Sequence, residues 1–224
     1  MFDDSATRSQ NEEFEMQRRN WVSLVGAAVL GLSMSATLVR AEALAADAFV
    51  KQLSSDVIDS LKADKAIQGG DVGRIRALVD AKVMPHVNFD RMTGMAVGPQ
   101  WRGATPDQRK RMLDEFKTLL VNTYAGAMTQ VKDQTIAVKP LRTAAADGDL
   151  VVRSEVRGKG EPIQLDYRLE KAGDAWKIYD INVGGFWVVE AYKGQFAKDL
   201  STGGLEALIG RLAEKNKSAA APKG

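Results

Sequence analysis

The chain has 224 residues, of which 45% are hydrophobic and 27% charged, and its formal net charge is +2. This composition is typical of a globular protein with one substantial core, and the small net charge does not indicate binding to nucleic acid. The chain contains no cysteine, which excludes disulfides, thiolate metal sites, cysteine nucleophiles and lipoprotein acylation.

The N-terminal region has the parts of a secretory signal peptide. A pair of arginines precedes an uncharged stretch over residues 20–39, and an A-x-A cleavage site follows at residues 41–43. We therefore expect residues 16–45 to be a cleaved signal peptide, residues 1–15 to be a non-native or disordered extension, and the protein to be periplasmic. An uncleaved membrane anchor is the alternative, because the stretch is nearly long enough to span a bilayer.

Helical periodicity dominates the first half of the remaining chain. Apolar residues at three- and four-residue steps predict helices over residues 46–64, 72–84 and 88–97. A longer helix is predicted to begin after Thr105, where Pro106 and Gln108 complete a capping box, and its apolar stripe continues to residue 131.

The periodicity then changes from helical spacing to strict alternation. Four strands are predicted, over residues 134–140, 149–157, 161–170 and 175–183. Alternation of apolar and polar residues predicts an antiparallel sheet with one covered face and one wet face. Asp166 and Asp180 are interpreted as solvated or hydrogen-bonded surface groups.

The C-terminal region is predicted to be helical again. After Gly184-Gly185, a helix is expected from Phe186 towards Leu200, and a last helix from Leu205 to Lys215. Residues 217–224 are expected to be a disordered tail, which leaves one domain over residues 46–216. The order of elements predicts an α+β fold, with helices packed on a curved four-stranded antiparallel sheet and an apolar cavity between them.

Few residues in the chain suggest catalysis. His86 is the only histidine, and it lies four residues before Asp90. An enzyme could use the two as a base and its orienting carboxylate, although packing after the helix-ending Pro85 is the simpler interpretation. Carboxylates lack metal-site spacing, and no glycine-rich phosphate-binding motif is present. We therefore expect no catalytic residue, no metal and no cofactor.

Several ordered blocks together resemble a known family. They are VMPHVNFDRM at residues 83–92, GPQWR followed by ATPDQR within 98–109, FKTLLVNTY at 116–124, and IQLDYRL, WKIYDINVGG and YKGQF within 163–196. This set, over about residues 46–216, is similar to the toluene-tolerance family. Its best-known branch is the periplasmic component of the Mla phospholipid-trafficking system.

The resemblance implies a soluble periplasmic carrier with a cone fold similar to nuclear transport factor 2 (NTF2). It implies a glycerophospholipid held by its acyl chains and moved between an inner-membrane ABC transporter with an MCE-domain subunit and an outer-membrane lipoprotein–porin complex. Such a carrier would maintain outer-membrane lipid asymmetry. Lys and Arg are spread along the chain without the basic strip of a nucleic-acid-binding surface, so no nucleic-acid partner is expected, and we expect a monomer. The bulky Phe186-Trp187 pair departs from the smaller residues expected in relatives.

Candidate lipid-binding residues are the apolar positions predicted to face the gap between the long helix and the sheet. They are Leu120, Tyr124, Met128, Ile136, Val152, Ile163, Leu165, Tyr167, Ile178, Val183, Phe186, Trp187 and Val189. Plain core packing is the alternative for each of these residues. For the protein, the alternatives are an NTF2-like enzyme acting on a small molecule and a periplasmic protein-interaction module without lipid.

Overall fold

The structure is a computed structural model, and it describes residues 46–140 and 150–220. The predicted extension, the signal peptide and residues 221–224 lie outside these ranges. None of the helices described is long and apolar enough to cross a bilayer. The helices are α1 at residues 46–63, α2 at Lys65–Gln68, α3 at Val72–Leu78, α4 at Phe89–Val97, α5 at Pro106–Thr129 and α6 at Val188–Ala220.

The helix starts follow the capping residues in the sequence. Thr105 and Gln108 form the predicted capping box at the start of α5, and the Asp71 side chain accepts a hydrogen bond from a backbone N–H at the start of α3. The chain then continues through a π-helical turn at Val79–Val83 and a 3-10 turn at Met84–His86, and a second 3-10 turn at Gly98–Gly103 follows α4.

The strands form one antiparallel sheet, so the predicted α+β class is confirmed. The strands are β1 at Thr135–Val138, β2 at Leu150–Val152, β3 at Ser154–Arg157, β4 at Ile163–Ala172, β5 at Ala175–Val183 and β6 at Phe186–Trp187. The sheet order is β1-β3-β4-β5-β6, and β2 also pairs with β4. The predicted number of four strands was wrong, and the NTF2-like cone stays a prediction.

The second predicted strand is divided into β2 and β3 at Arg153. Both parts pair with β4 in the same register, from Leu150 opposite Leu169 to Val156 opposite Ile163. Between them, the carboxylate of Asp166 accepts the hydrogen bond of the Ser154 backbone N–H at 2.9 Å. The ladder is interrupted here because a side chain replaces the backbone acceptor.

The start of the predicted C-terminal helix is also different. Phe186 and Trp187 pair with Val183 and Asn182 as a sixth strand. The two-residue turn at Gly184-Gly185 has φ values of 61° and 96°, which glycine adopts without strain and which favour a tight hairpin. The helix therefore begins two residues later, at Val188.

Helix α6 is longer than predicted. It contains one non-helical residue, Gly204, at φ 66° and ψ −162°, which corresponds to the predicted break between two helices. The helix extends to Ala220, so residues 217–220 are helical although the sequence suggested a disordered tail from 217. A chain with good helix formers continues its helix while one face is still packed, as Leu212 and Asn216 are here.

The core consists of three clusters. In the first, α4, α5 and α6 pack around Phe116 and Leu208. In the second, α1 packs on one half of the sheet around Leu169 and Val50. The third joins the end of α1 to α2, α3 and α5 around Ile75. Helices α1 and α5 each contribute to two clusters and thereby connect the helical layer with the sheet.

We expect Gly94→Ala to destabilise the protein by about 1–3 kcal/mol, because the added methyl group would displace the buried Trp101 ring. A Cβ atom at Gly94 would lie 2.5 Å from Cδ1 of the buried Trp101 ring. Gly126→Ala in α5 is the matched control, since its Cβ would meet nothing within 4 Å, and it should gain about 0.5–1 kcal/mol from helix propensity. Urea unfolding measures both values, and equal stability of the two variants would contradict the prediction.

Candidate functional site

The inner face of the sheet is covered at one end and open at the other. Along β4 the inward residues are Leu169, Tyr167, Leu165 and Ile163. Leu169 is 0% exposed and Tyr167 7%, Leu165 is half-buried, and Ile163 is 54% exposed. Inward residues of a strand are normally buried together. The change over four inward positions indicates that the covering layer ends in the middle of the sheet.

Helix α1 provides the cover. Ala46 and Val50 are fully buried against the half of the sheet that contains Leu169 and Trp176. The last polar contact between helix and sheet is the hydrogen bond between Ser54 Oγ and Tyr167 Oη, at 2.9 Å. Burial raises the pKa of Tyr167 to about 12, and the bond to Ser54 only partly opposes this shift. Beyond this point α1 packs against α2, α3 and α5.

Helix α5 presents an inward stripe that is only half-buried. Phe116 and Leu119 are buried against α4 and α6, and Val121 and Ala125 are buried with α2 and α3. Helical geometry places a third row of α5 side chains, the inward stripe, between these two buried rows. The members of this stripe are only half-buried. They are Leu120, Tyr124 and Met128.

These surfaces together define the candidate site, which we call the apolar groove. It is a set of half-buried apolar side chains from α1, from the inward stripe of α5 and from β4 and β5, and burial raises the pKa of its one phenol, Tyr124, above the ordinary value. Its described members are Leu53, Val57, Leu120, Tyr124, Met128, Leu165, Ile181 and Val183.

The sequence-predicted lining residues fall into three groups in the structure. Half-buried positions are Leu120, Tyr124, Met128, Ile136, Leu165, Val183 and Trp187; buried positions are Val152, Tyr167, Ile178 and Val189; exposed positions are Ile163 and Phe186. Val152, Tyr167 and Ile178 pack against α1, and Val189 packs with α5 and α6. Their role in ligand binding stays a prediction.

The sequence analysis missed the contributions of Leu53, Val57 and Ile181. Leu53 and Val57 were recognised only as positions of an amphipathic helix. Ile181 was missed because the register shifts between Arg168 and Leu169, so that Ile178 pairs with Leu169 but Asp180 pairs with Arg168. This irregularity brings Ile178, Ile181 and Val183 to one face, which strict alternation does not allow.

The interpretation of Asp166 and Asp180 as surface groups was partly wrong, because both are buried on the outer face of the sheet, at 3% and 0% exposure. Both are hydrogen-bonded, which was one of the two states expected from the sequence. Asp180 accepts the backbone N–H of Val189 at 3.0 Å and pairs with Arg168 at 2.8 Å. Burial raises the pKa of Asp180, and these contacts oppose the shift. The Arg168 guanidinium in turn lies 4.0 Å over the Trp187 ring.

The His86–Asp90 pair is not organised as a base and its orienting group. The His86 ring packs edge-on against Phe49 at 5.6 Å between centroids, and Asp90 accepts from Trp101 Nε1 at 3.5 Å. A concavity of about 490 Å³ lies beside Asp90 and Met95 on the other side of α4, and it contains none of the predicted lining residues. Within residues 46–140 and 150–220, no group of His, Asp and Glu is placed to hold a metal ion.

The described part of the chain is thus an α+β domain in which half-buried apolar side chains lie on a partly covered sheet and along one stripe of a long helix. Residues 51–214 match the family described as MlaC protein, and the chain belongs to this family.

Two curated relatives are similar over most of their length. The toluene tolerance protein ttg2D of Pseudomonas putida is 27% identical over 158 residues, which cover 69% of this chain and 73% of the relative. The intermembrane phospholipid transport system binding protein MlaC of Haemophilus influenzae is 22% identical over 204 residues, which cover 88% and 93%.

A solved structure is similar as well. The phospholipid-binding protein from Ralstonia solanacearum, determined in complex with a phospholipid, is 46% identical and superposes with a TM-score of 0.75. The match covers 78% of this chain and 98% of the Ralstonia chain.

We expect Tyr167→Phe to lower the free energy of unfolding by about 0.5–1.5 kcal/mol, because the buried Ser54 hydroxyl loses its partner. The variant should also lose the phenol that titrates near pH 12. A raised pKa of an acid destabilises the fold as pH rises from the unfolded value of about 10 to the folded value, so this alkaline loss should be smaller in the variant.

Urea unfolding at pH 7 and absorbance titration of the phenols measure the two effects of Tyr167→Phe. The control is Tyr124→Phe, which removes a phenol with no hydrogen bond to Ser54. Equal stability of both variants would show that the Ser54–Tyr167 bond does not join α1 to the sheet.

Proposed function

We propose that the protein binds a glycerophospholipid by its acyl chains in the apolar groove. The observation that carries the proposal is the change along β4 from the buried Leu169 to the exposed Ile163. A mainly apolar inner face that is covered only over half its length offers an apolar ligand the place that a helix would otherwise take.

The chemistry of the groove fits fatty chains. Its members are aliphatic apart from the thioether of Met128 and the phenol of Tyr124, and none is charged. Two acyl chains contain roughly 30 methylenes, and their transfer from water at about 0.8 kcal/mol each is worth on the order of 20 kcal/mol. A soluble carrier therefore needs an apolar volume for tight binding and no array of polar contacts.

The relatives support the ligand class. The Ralstonia protein was solved with a phospholipid, and the Haemophilus relative is named as a binding protein of an intermembrane phospholipid transport system. We propose the same ligand for this chain, together with the predicted signal peptide and a periplasmic location.

The carrier role includes the transport partners implied by the resemblance. The protein would exchange lipid with an inner-membrane MCE-domain ABC transporter and an outer-membrane lipoprotein–porin complex, and would thereby maintain outer-membrane lipid asymmetry. Because a phospholipid is about equally stable in a bilayer and in such a groove, the direction of net transport would be set by these partners.

The proposed lining consists of the apolar groove with Ile136 and Val156 beside it and Ile163 and Phe186 at its open end. The buried candidates lie next to this lining: Val152, Tyr167 and Ile178 are covered by α1, and Val189 packs with α5 and α6.

We expect Leu165→Glu or Tyr124→Glu to abolish co-purification of lipid. A carboxylate in contact with acyl chains loses its hydration without gaining a partner, and a cost of several kcal/mol lowers occupancy by about a hundredfold or more. Native mass spectrometry of the purified mature protein measures the bound mass.

The matched control is Met95→Glu, because Met95 is exposed on α4 and outside the groove. It should retain lipid at the wild-type level. A folded Leu165→Glu protein that still carries phospholipid would remove Leu165 from the site, and a wild-type protein without any lipid would contradict the proposed function.

We expect His86→Ala to complement a strain lacking the gene as well as the wild type does. The His86 ring has a packing contact with Phe49 and is not a member of the groove, so its loss should cost stability but no specific step. Outer-membrane permeability to detergent is a suitable measurement. Loss of complementation by a stable His86→Ala protein would favour the enzyme alternative.

A further inference from the structure

The exposed large apolar residues of the described chain are not evenly distributed. There are four, Val72, Met95, Ile163 and Phe186, and two of them lie at the open end of the sheet. Phe186 pairs with Val183 on β5, and Leu165 pairs with Val183 from the other side. Since paired residues in an antiparallel sheet share a face, Phe186 continues the inward row of the groove.

We call Ile163 and Phe186 the apolar rim. Their exposures are 54% and 76%, although both belong to the face that is fully buried at the other end of the sheet. The Gly184-Gly185 turn holds Phe186 directly opposite Val183. The rim is therefore fixed by a tight hairpin and is continuous with the half-buried floor formed by Leu165 and Val183.

An acyl chain that leaves the groove at this end must enter either water or another apolar phase. Exposure of a whole chain to water costs about 0.8 kcal/mol per methylene. A rim of apolar side chains that touches the apolar part of the donor or acceptor removes this cost, because the chain then passes from one apolar environment directly into another.

The described rim fits a bilayer surface better than a protein surface. A stable protein interface needs about 800 Å² from each partner with polar groups around its centre, whereas the rim exposes two side chains without polar atoms. The neighbouring β3–β4 hairpin adds no net charge, since Arg157 pairs with Glu155 and Lys159 is close in sequence to Glu161. An aromatic side chain with little surrounding charge is suited to the interface of a zwitterionic bilayer.

We propose that the apolar rim inserts into the interfacial region of a phospholipid bilayer, so that lipid enters and leaves the groove by direct contact with the membrane. This inference rests on the proposed function. It adds an encounter with the bilayer itself to the exchange with transport complexes.

Insertion is tested with Phe186→Trp and the matched control Met95→Trp, which both place an indole at an exposed apolar position. The purified mature proteins are mixed with phosphatidylcholine vesicles whose acyl chains are brominated near the glycerol. We expect tryptophan fluorescence to fall clearly further in Phe186→Trp than in wild type, and no further in Met95→Trp. Equal quenching in the two variants would overturn the proposal.

The role in transfer is tested with Phe186→Ala and the control Met95→Ala. Transfer of a fluorescent phospholipid between protein-free vesicles should be about tenfold slower in Phe186→Ala, as the loss of one interfacial aromatic predicts, and unchanged in Met95→Ala. A wild-type rate for Phe186→Ala would overturn the proposal. The proposal would also be overturned if Phe186→Ala kept its transfer rate between vesicles and lost only its lipid exchange with the transport complexes. The rim would then be a protein-docking surface.

Lipid co-purification separates the two proposals. Phe186→Ala should lose at most part of its bound phospholipid by native mass spectrometry, because Phe186 belongs only to the open end of the proposed lining and the side chains of the groove itself are unchanged. If Phe186→Ala carries lipid and transfers it between vesicles at the normal rate, only the proposed bilayer contact is contradicted. If the wild-type protein carries no lipid, the proposed function is contradicted.

Discussion

The incomplete cover of the sheet by α1 is the constraint on which the groove depends. The helix packs on the sheet at Ala46 and Val50 but ends among α2, α3 and α5, where Leu61 is buried. The Ser54–Tyr167 hydrogen bond lies where the helix leaves the sheet. The open half of the inner face thus results from the path of one helix.

Two buried carboxylates fix the strands from the outer face of the sheet. Asp166 accepts the hydrogen bond of the Ser154 backbone N–H, and Asp180 ties β5 to the start of α6 through Val189. Buried carboxylates with hydrogen-bond partners of this kind fix geometry well, because any displacement leaves a charge unsatisfied. The strands beside the groove are therefore held from behind, which allows their apolar side chains to remain accessible.

Local signals in the sequence were sufficient for the coarse order of helices, then sheet, then helices. The capping box at Thr105, the helical stripe of α5 and the alternation in β4 each depend on neighbouring residues only, and each was predicted correctly. The division of the second strand, the irregularity at Asp180 and the strand at Phe186 depend on contacts between distant residues or on two glycines with positive φ. Alternation alone consequently overlooked Ile181, and it gave no sign that the Asp180 carboxylate is buried and hydrogen-bonded. For the groove, the sequence indicated which residues are apolar, but it did not indicate where α1 stops covering them.

The shortness of β6 has a consequence for behaviour in concentrated solution. A sheet edge with unpaired backbone groups is a template for pairing with another molecule, and an apolar opening nearby increases that hazard. At this edge the strand has only two residues before the chain turns into α6. At β6 a second molecule therefore finds only two residues to pair with, directly beside the exposed apolar side chains at the open end of the sheet.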